Sequence, residues 1–133
     1  MDRVFLDANV LFSAAYRDGA GLSRLWSLED VRLITSGYAA GEAQRNLTEE
    51  DQRARLAVLV ARTELVAEAD PVSYVYDSRV PEKDRPILHA AIQSRSTHLL
   101  TGDVTHFGRF FGQRLDGVLI LAPAAYLAAH SRT

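Results

Sequence analysis

Four carboxylates in this chain, Asp7, Glu42, Asp84 and Asp103, fall where a fold can bring acids together. Asp7 directly follows the apolar run Val4-Phe5-Leu6, and Asp103 follows His98-Leu99-Leu100-Thr101-Gly102. Asp84 opens a helical pattern that has Pro86 in its first turn, and Glu42 stands about two turns into another. Like charges crowded at one place repel strongly. Mg²⁺ or Mn²⁺ with oxygen ligands supplies the counter-charge that makes such a cluster tolerable. An ion held there lowers the pKa of a bound water, orients it, and stabilises charge on a phosphate under attack. Each acid also has an ordinary role open to it. Asp84 suits a helix N-cap, Asp103 a turn after Gly102, and Glu42 a solvated helix face. Asp7, at the end of a buried run, is the hardest to assign such a role, and the conjunction of all four carries the metal reading.

The elements that must position these acids follow from apolar periodicity. Val4-Phe5-Leu6 reads as a buried first strand, and Ala8 to Tyr16 as a helix with Val10, Leu11 and Ala14 on one face. Gly19 and Gly21 break it, and Leu22, Leu25, Trp26 and Leu28 suggest a further short helix. Val31 to Thr35 is a second strand. Ser36 caps the helix carrying Tyr38, Ala39, Glu42 and Leu47. Thr48-Glu49-Glu50-Asp51 starts another helix, with acids in its first turn and Leu56, Leu59 and Val60 on its apolar face. Glu64 to Glu68 is a short third strand, and Asp70 to Lys83 a loop with two prolines, Tyr74 and Tyr76. Pro86 fits the first turn of the helix that Asp84 opens, with Ile87, Leu88, Ala91 and Ile92 as its stripe. His98 to Thr101 is a fourth strand, Val118 to Leu121 a fifth, and Pro123 begins a last helix.

Strands alternating with helices imply an α/β fold, its mostly parallel sheet covered on both faces. In such sheets ligands bind beyond the carboxyl ends of the strands. Asp7 and Asp103 lie at strand ends, and helices that follow strands begin at that same edge, which brings Glu42 and Asp84 into reach.

Composition bounds the rest. The 133 residues suit a single domain spanning 1–133, with 47% hydrophobic and 24% charged residues as in ordinary globular proteins. No apolar run approaches the roughly 20 residues that span a bilayer, and the N-terminus lacks the apolar length of a signal peptide. A cytoplasmic protein without membrane contact is the expectation. The absence of cysteine excludes disulfides, thiolate nucleophiles and cysteine-ligated zinc. Lys83 is the one lysine beside fourteen arginines, which are scattered along the chain. The formal charge is −2; with four acids assigned to metal, fifteen basic residues face thirteen acidic ones, or +2. Charge therefore excludes neither RNA nor a small phosphate ester.

Four segments resemble the PIN-domain family of metal-dependent ribonucleases. They are Val4-Phe5-Leu6-Asp7-Ala8-Asn9-Val10-Leu11, Gly41-Glu42-Ala43, Lys83-Asp84-Arg85-Pro86-Ile87-Leu88-His89-Ala90-Ala91, and Leu99-Leu100-Thr101-Gly102-Asp103 followed by His106-Phe107. The resemblance runs over nearly the whole chain. It implies a three-layer α/β/α sandwich, Mg²⁺ or Mn²⁺ held by Asp7, Asp84 and Asp103 with Glu42 supporting the metal or the water, and hydrolysis of RNA. It implies that Asn9 and Thr101 orient carboxylates or water by hydrogen bonds. Arg85, Arg109 and His106 stand near the acids as candidate contacts to RNA phosphates, whereas Phe107 and Phe111 read as core. Many small free-standing members are toxins of the VapC type, paired with a small antitoxin and often dimeric, and the length here fits that group.

Two alternatives stay open on the residues. A haloacid-dehalogenase-type small-molecule phosphatase needs Asp-x-Asp after the first strand, and here Asn9 occupies the second position. A non-catalytic binding module on the same fold would use the surface without the chemistry. Receiver-type, serine-hydrolase and His-Glu-x-x-His zinc chemistries lack their signatures.

Overall fold

The computed structural model describes residues 1–67 and 80–130. At its centre lies strand β1 (Asp2–Leu6), whose Val4, Phe5 and Leu6 are wholly buried. A strand covered on both faces needs such a continuous apolar run. β1 pairs in parallel with β2 (Val31–Ser36) on one side and with β4 (His98–Leu100) on the other. β3 (Glu64–Val66) extends the sheet beyond β2, and β6 (Val118–Leu121) extends it beyond β4. A two-residue strand β5 (Arg114–Leu115) closes that edge antiparallel to β6, giving the order β3-β2-β1-β4-β6-β5. The six described strands exceed the five expected by this hairpin. Its turn is Asp116-Gly117, both at positive φ (48° and 85°), the conformation of a two-residue type I′ turn.

The helices are α1 (Ala8–Ala15), α2 (Gly37–Asn46), α3 (Glu50–Ala61), α4 (Arg85–Gln93), the short α5 (Val104–Phe107) and α6 (Pro123–His130). α1, α2 and α3 pack on one another, whereas α4 packs on β2 and β4. The chain steps from β1 to β2 to β3 in one direction, then from β3 to β4 to β6 in the other. Right-handed crossovers put the helices of those two journeys on opposite faces, so the sheet is the middle of three layers. The stretch expected as a helix around Leu22–Leu28 is a 3₁₀ segment, Gly21–Ser27, and Trp26 anchors it by donating from Nε1 to the Leu59 carbonyl at 3.0 Å. β3 ends at Val66, short of the expected Glu68, which lies outside the described residues. Most of the expected Asp70–Lys83 loop lies outside them too. Its described end is a 3₁₀ turn, Glu82–Asp84.

Strand order reverses at β1, so the carboxyl ends of β1 and β4 flank the crevice where open parallel sheets place their ligands. Asp7 follows β1 directly, and its amide continues the ladder by donating to the Leu100 carbonyl at 3.1 Å. Ser36, at the end of β2, accepts from the Ala39 amide at 3.2 Å and starts α2 at the same edge.

Candidate metal centre

Asp7 is both a helix cap and a buried acid. Its Oδ1 accepts from the Ala8 amide at 2.7 Å, while Oδ2 accepts from the Thr101 hydroxyl at 2.9 Å and from Asn9 Nδ2 at 3.3 Å. The residue is only 7% exposed. Burial pushes its carboxyl up to about 6 from an ordinary 3.8; the Thr101 and Ala8 hydrogen bonds oppose the rise, and the Glu42 and Asp84 charges add to it. A buried carboxyl held part-way to neutrality is what a cation would return to the charged form.

Thr101 and Asn9 connect this acid to the end of β4. The Thr101 hydroxyl accepts from the Asp103 amide at 3.1 Å, and Asn9 Nδ2 lies 3.3 Å from the same oxygen. Asn9 Oδ1 accepts from the Gly102 amide at 2.7 Å. A Cβ at Gly102 would stand 3.3 Å from that Oδ1, so glycine lets the backbone approach Asn9 closely. Asn9 and Thr101 thus both hydrogen-bond the Asp7 carboxylate and reach the backbone that leads to Asp103. Neither acts as a simple helix cap or strand filler.

Asp103 Oδ1 accepts from the His106 amide at 3.0 Å and caps α5. Its Oδ2 lies 2.8 Å from His106 Nδ1, and Asp84 Oδ2 lies 2.9 Å from the same nitrogen. Despite these distances, neither Asp84 Oδ2 nor His106 Nδ1 gains a hydrogen bond of acceptable geometry among the described residues. Asp84 stands at the N-cap position of α4, yet its side chain makes no capping bond. The ordinary role open to Asp84 is therefore not the one it plays. Burial raises its pKa, with Asp103 and Glu42 adding to the rise and His106 and Lys83 opposing it.

Two carboxylate oxygens and one ring nitrogen within 4.8 Å of one another make a donor set suited to a divalent cation. Buried donors that lack partners fit such an ion, because coordination would satisfy them. All four acids singled out in the sequence line one cleft of about 430 Å³. Asp7 and Glu42 stand in its wall outside the tightest group, whose third member is His106. His106, expected as a phosphate contact, faces two acids; its place three residues after Asp103, on one side of a helical turn, is the signal that links them.

Arg85 and Arg109 do not line the cleft. Arg85 donates from Nε to the Val80 carbonyl at 3.1 Å, and the Arg109 guanidinium lies 4.9 Å from the Phe110 ring centroid. Phe107 is wholly buried and Phe111 packs against the core, as expected. Tyr38, Asn46 and Lys83 also line the cleft and were not singled out as site residues.

A parallel α/β sandwich with clustered acids at its switch point defines a class, and sequence comparison gives it a name. The PIN domain matches residues 3–105, and the chain belongs to that family. Among solved structures, VapBC2 from Rickettsia felis, bound to a DNA fragment from its promoter, aligns at TM-score 0.62 with 16% identity, covering 90% of this chain and 98% of that one. VapBC-1 from nontypeable Haemophilus influenzae aligns at 0.61 and 16%, covering 92% and 98%. VapC20 from Mycobacterium tuberculosis, described as a Sarcin-Ricin loop cleaving toxin, aligns at 0.53 and 17%, covering 79% and 95%. These likenesses establish the shared fold. No curated protein matches the chain.

Proposed function

We propose that this PIN domain, one folded unit over residues 1–133, is a Mg²⁺- or Mn²⁺-dependent endoribonuclease and the toxin of a toxin–antitoxin pair in the cytoplasm. The observation that carries the reading is the convergence of Asp84 Oδ2, Asp103 Oδ2 and His106 Nδ1 without hydrogen-bond geometry, beside an Asp7 carboxyl pushed up to about 6. Asp7, Asp84 and Asp103 would hold the metal, with Glu42 supporting the metal or the water. The ion would polarise the scissile phosphate and supply hydroxide at neutral pH.

The protein's own part is orientation. Thr101 and Asn9 fix the Asp7 carboxylate, and Thr101 also holds the Asp103 amide, so the acids from β1 and β4 keep one spacing. Hydrolysis forms a bond from the water oxygen to phosphorus and breaks the bond to the departing sugar oxygen. A proton from the water leaves to a carboxylate of the cleft, and the departing sugar oxygen takes up a proton from solvent. The helix caps that Asp7 and Asp103 also form hold one oxygen of each in place, while the other oxygen of Asp7 meets Thr101 and Asn9 and that of Asp103 faces His106.

RNA as substrate is supported by family membership and by the description of VapC20 as a Sarcin-Ricin loop cleaving toxin. A small antitoxin as partner is supported by the VapBC pairs among the similar folds, and a homodimer is proposed with it. Metal titration with a fluorogenic RNA tests the reading. Cleavage that requires Mn²⁺ or Mg²⁺ and disappears in Asp7→Asn supports it. RNA bound but uncut in every metal, or phosphate released from small esters alone, overturns it.

A further inference from the structure

The face that α2 turns to the cleft carries more than Glu42. Tyr38, Glu42 and Asn46 are spaced four residues apart along the helix, so they lie in one row, and all three line the cleft. Tyr38 is 41% exposed and lines the cleft, so part of its side chain is open to a ligand. The cleft also receives Lys83, from the 3₁₀ turn just before Asp84, and its charge is felt at the Asp84 carboxyl. Lys83 is the chain's single lysine and the only lysine or arginine among the described residues lining this cleft. Scattered arginines serve the rest of the surface; the permanent cation beside the acids is a compact ammonium on a flexible stem.

We infer that Tyr38 and Lys83 form a nucleotide-binding subsite at the mouth of the acidic cleft, the ring stacking on an unpaired base and the ammonium holding a backbone phosphate next to the one cut. The inference rests on the nuclease reading for its substrate and names residues that reading does not use. An exposed aromatic and a cation lining one cleft is an arrangement that suits single strands, because every base has a face to stack and every nucleotide a phosphate. Base-paired RNA keeps its bases stacked on one another and offers no such face. In Ca²⁺, which itself neutralises the acids, a Lys83 that served only as their counter-ion would leave the salt dependence of RNA binding near wild type in Lys83→Gln, and that difference separates the two roles. Tyr38 and Lys83 are positioning residues for substrate, distinct from the acids that would carry the metal.

The test is fluorescence anisotropy of a labelled single-stranded RNA of roughly ten nucleotides with the full chain in Ca²⁺, chosen to hold the acids while slowing hydrolysis. Tyr38→Ala is expected to weaken binding roughly 5- to 150-fold, and Tyr38→Phe to restore it. Lys83→Gln is expected to weaken binding and to flatten the plot of log affinity against log salt by about 0.7, while Lys83→Arg keeps the slope. Melting curves check folding, and Tyr38→Leu, which keeps apolar bulk without a ring face, replaces an alanine variant that melts early. Wild-type affinity in either Tyr38→Ala or Lys83→Gln, or no binding by the wild-type protein, overturns the subsite. A chain that binds through both residues but cuts nothing keeps the subsite and sinks the nuclease. One that cuts RNA while both variants bind as wild type does the reverse.

Discussion

The Thr101 hydroxyl donates to Asp7 Oδ2 at 2.9 Å, a bond between residues 94 positions apart that ties the ends of β1 and β4 together. Both groups are buried, Thr101 completely. The same oxygen accepts the Asp103 amide, so one hydroxyl sets the spacing of two acids. Thr101→Val keeps the shape and deletes the hydroxyl, leaving the Asp7 carboxyl and the Asp103 amide short of a partner. The expected cost is about 1–3 kcal/mol in urea denaturation, with Thr101→Ser close to wild type. Equal midpoints for valine and wild type would refute the role given to this hydroxyl.

Asp7 gives the metal-free fold a pH dependence of unusual sign. Its folded pKa, about 6, lies above the unfolded value of 3.8, so the folded chain binds more protons between those values. Stability therefore falls as pH rises through that window, and the whole penalty is present above pH 6. The shift corresponds to ~3 kcal/mol, an upper figure because Asp7 also caps α1. Asn keeps capping ability and cannot ionise. In EDTA, Asp7→Asn should be more stable than wild type at pH 7.5, and the gap should close by about pH 4. A gap unchanged between the two pH values would mean that Asp7 carries no such penalty.

The strand-end acids were legible in the sequence because a buried run such as Val4-Phe5-Leu6 or His98-Leu99-Leu100 announces its strand, and the polar residue that ends it announces the edge. Less could be read where side-chain direction decides. Arg85 follows Asp84 directly, yet its side chain turns back to the Val80 carbonyl, and no spacing rule foretells that. Lys83 was visible as a lone lysine, but its place in the cleft depends on the turn at 82–84. His106 was visible as a candidate phosphate contact, but its place against Asp84 and Asp103 was not, because α5 is four residues long and offers no apolar periodicity to mark it as a helix. The β5–β6 hairpin had a readable Asp116-Gly117 signal, but β5 is two residues long, too short for alternation to show.

Carboxylates that repel one another without a cation make metal binding a folding term. Burial and the neighbouring acids raise both Asp7 and Asp84, so an ion binding only the folded state stabilises it by mass action. A hundredfold excess of Mg²⁺ or Mn²⁺ over its Kd should add about 2.7 kcal/mol, a melting shift on the order of 10 °C for a chain of this size. Asp103→Asn should blunt the shift. If differential scanning fluorimetry finds no change with either ion at millimolar concentration, the metal assignment fails.

Asp84 and Asp103 should separate structure from chemistry. Asp103 accepts the His106 amide at 3.0 Å and caps α5, so Asp103→Ala loses a cap as well as a donor to metal. The expected loss is about 1 kcal/mol of stability. Asp84 holds the N-cap position of α4 without making a capping bond, and its carboxyl is raised by burial and by Asp103. Asp84→Ala should therefore leave the metal-free protein as stable as wild type or more so, because it removes a charge that the fold works against. Both variants should lose the melting shift with Mn²⁺ and the cleavage of RNA. Denaturation in EDTA, followed by the same measurement in Mn²⁺, reads the two effects apart. A large loss of metal-free stability in Asp84→Ala would show that this aspartate supports α4 after all, and would return it to the ordinary role of a helix cap.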